Sequence, residues 1–127
     1  MPIIRIESLP QEPALSIPMT CKNISRRFSE LSDINEEYIS VVWKTIFPEH
    51  YSEGGITVEN QPNNSHPALV SLLVPSIHSK ENHNNLINAL AQAILDNTQL
   101  RLDNIFIHLQ IAESGTVFDN GEIQHWG

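Results

Sequence analysis

A strand, a helix and a strand follow one another twice in this chain, and that repeat restricts its fold more than any other feature. In the first passage Pro2–Glu7 reads as a strand, followed by a connection carrying Pro10 and Pro13. Ile17, Cys21, Ile24, Phe28 and Leu31 then recur at spacings of 4, 3, 4 and 3, which places them on one face of a helix from about Pro18 to Leu31. Pro18 suits the first turn of that helix. A second strand, rich in β-branched and aromatic residues, covers Ile39–Ile46. The second passage repeats the order, with a strand at Ala68–Val74 and Ser79 as a helix N-cap. Leu86, Ile87, Leu90, Ala91, Ile94 and Leu95 mark the buried face of a helix ending near Asn97, and Ile105–Ile111 closes the unit. Pro67-Ala68-Leu69-Val70 holds the place in its half that Pro2-Ile3-Ile4-Arg5 holds in the first.

Between the halves, residues 47–66 contain Gly54-Gly55, Pro62 and Asn63-Asn64-Ser65, and read as a loop with a short strand at Ile56–Val58. Near the end, Asp119-Asn120-Gly121 separates Thr116-Val117-Phe118 from Glu122-Ile123-Gln124, a turn signal for a small hairpin. These elements predict an α+β fold: two βαβ units forming a four-stranded sheet, two helices on one face and a short C-terminal hairpin. Residues 1–127 then make one domain, with pseudo-repeat halves at about 1–55 and 66–127.

Charge and composition remove several functions. Fifteen acidic side chains against seven basic ones give a net charge of −8, and the basic ones are scattered from Arg5 to Arg101, so the concentrated basic face that nucleic acid requires is missing. Arg26 and Arg27 fall off the apolar stripe of the first helix and read as a solvated face rather than an anion clamp. No apolar run approaches the ~20 residues that span a bilayer, and the N-terminus lacks the order of a signal peptide. The lone Cys21 allows no internal disulfide, and a reducing cytoplasm is the expected compartment. His50, His66, His78, His83, His108 and His125 are dispersed, with no HExxH, so no metal is assigned. A Gly-rich phosphate loop and a Ser or Cys nucleophile elbow are also missing, which leaves a cofactor-free site.

Pro2 supplies a candidate for such a site. Removal of Met1 would leave a secondary amine at the head of the apolar run Pro2-Ile3-Ile4-Arg5-Ile6. An α-amino group titrates near ~7.7–8.0, and an apolar pocket disfavours the ammonium form, so a neutral amine becomes available as a general base. The last main strand adds a second cue. Its odd positions, Ile105, Ile107, Leu109 and Ile111, form an apolar face suited to helix packing, whereas Asn104, Phe106, His108 and Gln110 form a face that is neither oily nor charged. Such a face fits an oligomer interface with a mixed pocket.

Pro2 at the head of a strand, two βαβ units and a C-terminal hairpin together resemble the tautomerase superfamily, in the branches of macrophage migration inhibitory factor and the carboxymethyl-hydroxymuconate isomerases. Asp103-Asn104-Ile105-Phe106-Ile107-His108 and Glu37-Tyr38-Ile39-Ser40-Val41 carry the local likeness. Arg5 and Asn120-Gly121-Glu122 also resemble a bacterial branch with an Arg in its first strand and an Asn-Gly-Glu near its end. The resemblance implies a homotrimer with Pro2 in a cleft between subunits. Tyr38, Phe106 and His108 then fall at pocket positions held by Tyr, Tyr and Asn. Pro75 and Ser76 would approach the substrate from another wall, and Val117 or Phe118 would close the pocket. The lysine expected before the second strand falls on Ile34. Arg5, kept as a substrate-binding candidate, alternates away from Pro2, and Lys44 lies well along the next strand.

The function expected from these residues is a tautomerase or isomerase acting on a small enol or keto compound. Pro2 would move the proton, and His108 or a pocket amide would stabilise the enolate. The alternatives are a non-catalytic trimer of the same fold that binds a small molecule or a partner, and a monomeric ferredoxin-like module with a fortuitous Pro2.

Overall fold

The computed structural model describes residues 1–77 and 79–127. His78, one of the six histidines, lies outside them. A four-stranded sheet is built from β1 (Ile3–Ser8), β2 (Ser40–Thr45), β5 (Ala68–Pro75) and β6 (Ile105–Ala112), in the order β2-β1-β5-β6. β2 runs parallel to β1 and β6 parallel to β5, while the two halves meet where β1 and β5 run antiparallel, Ile3 opposite Leu73. α1 (Ile17–Ser32) and α2 (Lys80–Asn97) supply the crossovers. Two small hairpins complete the chain, β3 (Ser52–Glu53) with β4 (Ile56–Thr57) and β7 (Val117–Asp119) with β8 (Glu122–Gln124). Among the described residues no helix is long and apolar enough to cross a membrane.

Alternation along the central strands builds the core. Ile4 and Ile6 of β1 and Val70, Leu72 and Val74 of β5 turn inward against Ile24 and Phe28 of α1 and Leu86, Leu90 and Ile94 of α2. Each fully buried side chain of this size contributes about 1.5–3 kcal/mol. Ser16 caps α1 by accepting from the Met19 N–H, with Pro18 in the first turn; Asp33 ends the helix in the left-handed region at φ 62°. Ser79 caps α2 through the Asn82 N–H.

The helices sit slightly rotated from the expected faces. α1 buries Thr20, Ile24 and Phe28, an i+4 ridge, whereas Ile17 and Cys21 are half-buried and Leu31 is exposed. Leu31 turns off the sheet into the groove beside α2, near Leu86 and Ala89. α2 likewise buries Ala89 and Ala93 with Leu86, Leu90 and Ile94, leaving Ile87, Ala91 and Leu95 half-buried. Arg27 spans the two helices to the Asp96 carboxylate at 3.0 Å, and Arg26 bonds Asn23. Arg27 is therefore a helix-to-helix tie.

β6 departs from its expected two faces at both ends. Ile105, Ile107 and Leu109 pack on the core, but Ile111 is 45% exposed. Ile111 lies one residue before the end of β6 and is not among the side chains packed against the core. Asn104 is not on the open face. It ends a 3-10 turn (Leu102–Asn104), is 3% exposed, and donates to the carbonyls of Pro62 at 3.0 Å and Ser65 at 2.9 Å.

The expected loop at residues 47–66 is correspondingly pinned. Gly54 and Gly55, both at positive φ, turn the β3–β4 hairpin, which supplies the predicted strand at Ile56 with a partner. His66 is buried and bonds the Ile56 carbonyl at 2.8 Å and Ser65 Oγ at 3.0 Å, with Tyr51 packed edge-on against its ring. His66 thus serves the scaffold.

Candidate active site at the head of the first strand

The pairing of β1 fixes Pro2 in space. Its carbonyl accepts from the Ser40 N–H at 3.1 Å, at the start of β2, and its ring shares the parity of Ile4 and Ile6, so it turns toward the helices and is fully buried. Met1, next to it in the chain, lines a recess of about 230 Å³ together with Pro75 at the end of β5, Ile77, Val117 and Asp119 of β7, Gln124 of β8, and Trp126. The β7–β8 hairpin closes this wall because Asn120 and Gly121 both adopt positive φ, the geometry of a two-residue turn that matches strand twist. Beyond it, the Trp126 indole donates to Ser76 Oγ at 2.9 Å and the Trp126 N–H to Ser114 Oγ at 2.8 Å, which holds the tail against the end of the sheet. Ser76 also donates its backbone N–H to Ala112, joining the β5 end to β6.

Among the described residues lining the recess, Asp119 carries the sole ionisable side chain. Pro75 and Val117, two of the sequence-selected residues, are in the lining, and Ser76 stands behind it as the partner of Trp126. Ile77, Asp119, Gln124 and Trp126 escaped the sequence reading. A tryptophan in an otherwise polar tail was the one available signal.

The other selected residues lie elsewhere on the protomer. Val42, Arg5, Ser71 and His108 form one row across the open sheet face, with Lys44, Glu7, Leu69 and Phe106 in the row two residues away. Tyr38, at the end of the 3-10 turn Glu36–Tyr38, is exposed, as are Phe106 and His108. Phe118 alternates away from Val117 and is 73% exposed, paired with Ile123. Pro2 and His108 are two strands and three residues apart, on the order of 14 Å, and on opposite faces of the sheet. One protomer therefore separates a Pro2 set from a Tyr38, Arg5, Phe106 and His108 set. A site using both needs a second copy of the chain.

The cation expected near Pro2 is not supplied by these elements. Ile34 is half-buried against the core, and Arg5 and Lys44 are on the open face in successive rows.

No known protein-family profile matches this chain, and no curated protein matches it in sequence. Solved structures do. A fused 4-OT wild-type asymmetric trimer superposes with a TM-score of 0.80 at 12% identity, over 96% of this chain and 95% of that one. Pt0534 inactivated by 2-oxo-3-pentynoate gives 0.77 at 15% identity, over 96% and 94%. Macrophage migration inhibitory factor from Oncomelania hupensis gives 0.72 at 11% identity, over 98% and 83%. The fold expected from the two βαβ units, that of the tautomerase superfamily, is the fold of this chain.

Proposed function

We propose that this chain, freed of Met1, is a cofactor-free tautomerase or isomerase of small enol or keto compounds, with the Pro2 amine as its general base. The observation that carries the reading is the setting of Pro2, fully buried at the head of β1 and joined to Met1, which lines a largely apolar recess. Loss of Met1 both opens that recess and converts an amide nitrogen into a secondary amine. Packing against apolar neighbours disfavours the ammonium, while Asp119 and the net charge of −8 favour it, and desolvation is the larger influence at a residue as buried as Pro2. Pro2 takes a proton from carbon or from the enol oxygen, a donor steadies the enolate, and the prolyl ammonium returns the proton to the other atom.

The assembly proposed is a homotrimer, the state of the fused 4-OT structures with this fold. It is supported by the apolar side chains exposed around the sheet, among them Phe106, Phe118 and Ile123. In that assembly His108, Tyr38, Phe106 and Phe118 of one copy complete the Pro2 recess of another. Asp119, unaccompanied by a cationic side chain among the described residues of the recess, disfavours a carboxylate at that end and selects a substrate that is uncharged there. The same lack of a cation favours a second reading, a trimer that binds a small molecule without converting it.

Covalent labelling tests the amine directly. Electrophilic alkynyl ketones add to a neutral amine. After treatment near neutral pH, peptide mass analysis should place one adduct on Pro2 of the processed chain and none on a chain retaining Met1. Labelling confined to Cys21 or lysines refutes the reading.

A further inference from the structure

A second recess lies at the far end of the sheet from Pro2. The chain leaves β1 through Ser8, Leu9, Pro10 and Gln11, and α1 begins at Ile17. Between them and Trp43 and Thr45 of β2 opens a cavity of about 130 Å³. Its walls are mostly apolar, and no charged side chain lines it among the described residues.

Two N–H donors there have no counterpart. The Trp43 indole Nε1 is buried without a hydrogen-bond partner, and so is Nε2 of Gln11, a residue only 8% exposed. An indole N–H can only donate, and buried polar groups are as a rule paired, so two unmet donors carried by residues that line one cavity call for an acceptor from outside the chain. Nearby side-chain groups are engaged elsewhere: Ser8 Oγ donates to the Leu9 carbonyl, and Gln61 Oε1 accepts from the Leu9 N–H. The first turn of α1 adds a partial positive charge that favours an electron-rich atom. An apolar cavity of roughly 150 Å³ holds a benzene molecule, which sets the size of the occupant. With no cation in the walls, an ionised carboxylate would be buried uncompensated, so the acceptor is neutral.

We propose that this cavity binds a compact neutral carbonyl compound, of the size of a six-membered cyclic ketone, whose oxygen accepts from Trp43 Nε1 and Gln11 Nε2. The site is separate from Pro2 and does not depend on the activity proposed there.

The test uses the ¹⁵N-labelled full chain and cyclohexanone, with toluene as a probe of similar size that lacks the oxygen. The chain has two tryptophans, so two indole N–H resonances report. The Trp43 resonance should move and saturate, while that of Trp126, already donating to Ser76, stays in place. Affinities read from ligand signals by saturation transfer should fall about tenfold for Trp43→Phe, for Gln11→Met and for toluene in place of cyclohexanone. An unmoved Trp43 resonance, a shift that never saturates, equal binding of toluene, or unchanged affinity in both variants overturns the proposal. If Trp43→Phe fails to fold, Gln11→Met, which keeps the side-chain length and removes only the amide, decides alone.

Discussion

Asn104→Ala should be among the most destabilising single changes outside the apolar core. The Asn104 amide is almost fully buried and gives both its protons to carbonyls, those of Pro62 and Ser65, some forty residues earlier in the chain. Alanine removes both donors, leaving the half-buried Ser65 carbonyl without this partner and the Pro62 carbonyl with only the long 3.4 Å bond from Gln61 Nε2. An unsatisfied buried group costs about 1–3 kcal/mol, and with some relaxation the pair should cost about 2–4 kcal/mol in all. A domain of this length loses roughly 3–6 °C of melting temperature per kcal/mol, so a drop on the order of 10 °C follows. Urea unfolding followed by circular dichroism gives the free energy, and an unchanged m-value shows that the native state has kept its compactness. Asn104→Asp sharpens the test. Its carboxylate would face the same two carbonyls with no proton to give, so it should cost more than alanine at neutral pH. A loss below about 0.5 kcal/mol for alanine, or an aspartate variant as stable as wild type, would refute the role assigned to this amide.

Other outcomes follow from the same structure. His108→Asn should keep more enol–keto turnover than His108→Leu, because asparagine retains a donor; equal losses in steady-state rates would remove His108 from the chemistry. The Arg27 guanidinium, then the Gln92 amide, hold the Asp96 carboxyl below its ordinary range. A carboxyl lowered on folding stabilises the protein above its unfolded pKa and loses that contribution as pH falls through the folded one, so Asp96→Asn should flatten the acid limb of stability against pH in urea titrations. Burial pushes the Cys21 thiol upward, so iodoacetamide at neutral pH should modify it more slowly than a free thiol, as read by mass. Sedimentation equilibrium should give three times the chain mass of 14.3 kDa, and a monomer at micromolar concentration would remove the shared site.

The sheet was legible in the sequence because its burial has period two: Ile4 and Ile6, then Val70, Leu72 and Val74, alternate cleanly with exposed or half-exposed neighbours. The helices were legible from their apolar spacing, yet their rotation was not. Whether Leu31 or Ala89 lies under a neighbour depends on how α1 and α2 meet, which no single helix encodes. Ile111 looked like a core residue by parity and is exposed, because the core side chains of the helices do not extend to that end of β6. Asn104 and His66 were read from their surroundings in sequence, whereas the carbonyls that define their roles come from distant or irregular backbone. At the candidate site, Pro2, Pro75 and Val117 were selected from chain position and family pattern. Asp119, Gln124 and Trp126 were missed because they join the recess beside Met1 through the β7–β8 hairpin and the tail that follows it. Loop-borne residues have no periodicity to announce them.

The measurement that bears most directly on the Pro2 proposal is the rate of enol–keto conversion of a simple α-keto enol by three forms of the chain: wild type with Met1 removed, the same protein with Pro2→Ala, and a form retaining Met1. Their masses and unfolding curves are checked first, so that processing and folding are the same throughout except where altered by design. The account predicts fast conversion by the processed wild type and a loss of about a hundredfold or more in the other two, the scale on which a positioned general base contributes. Equal rates for all three would contradict it and leave a binding trimer as the better reading.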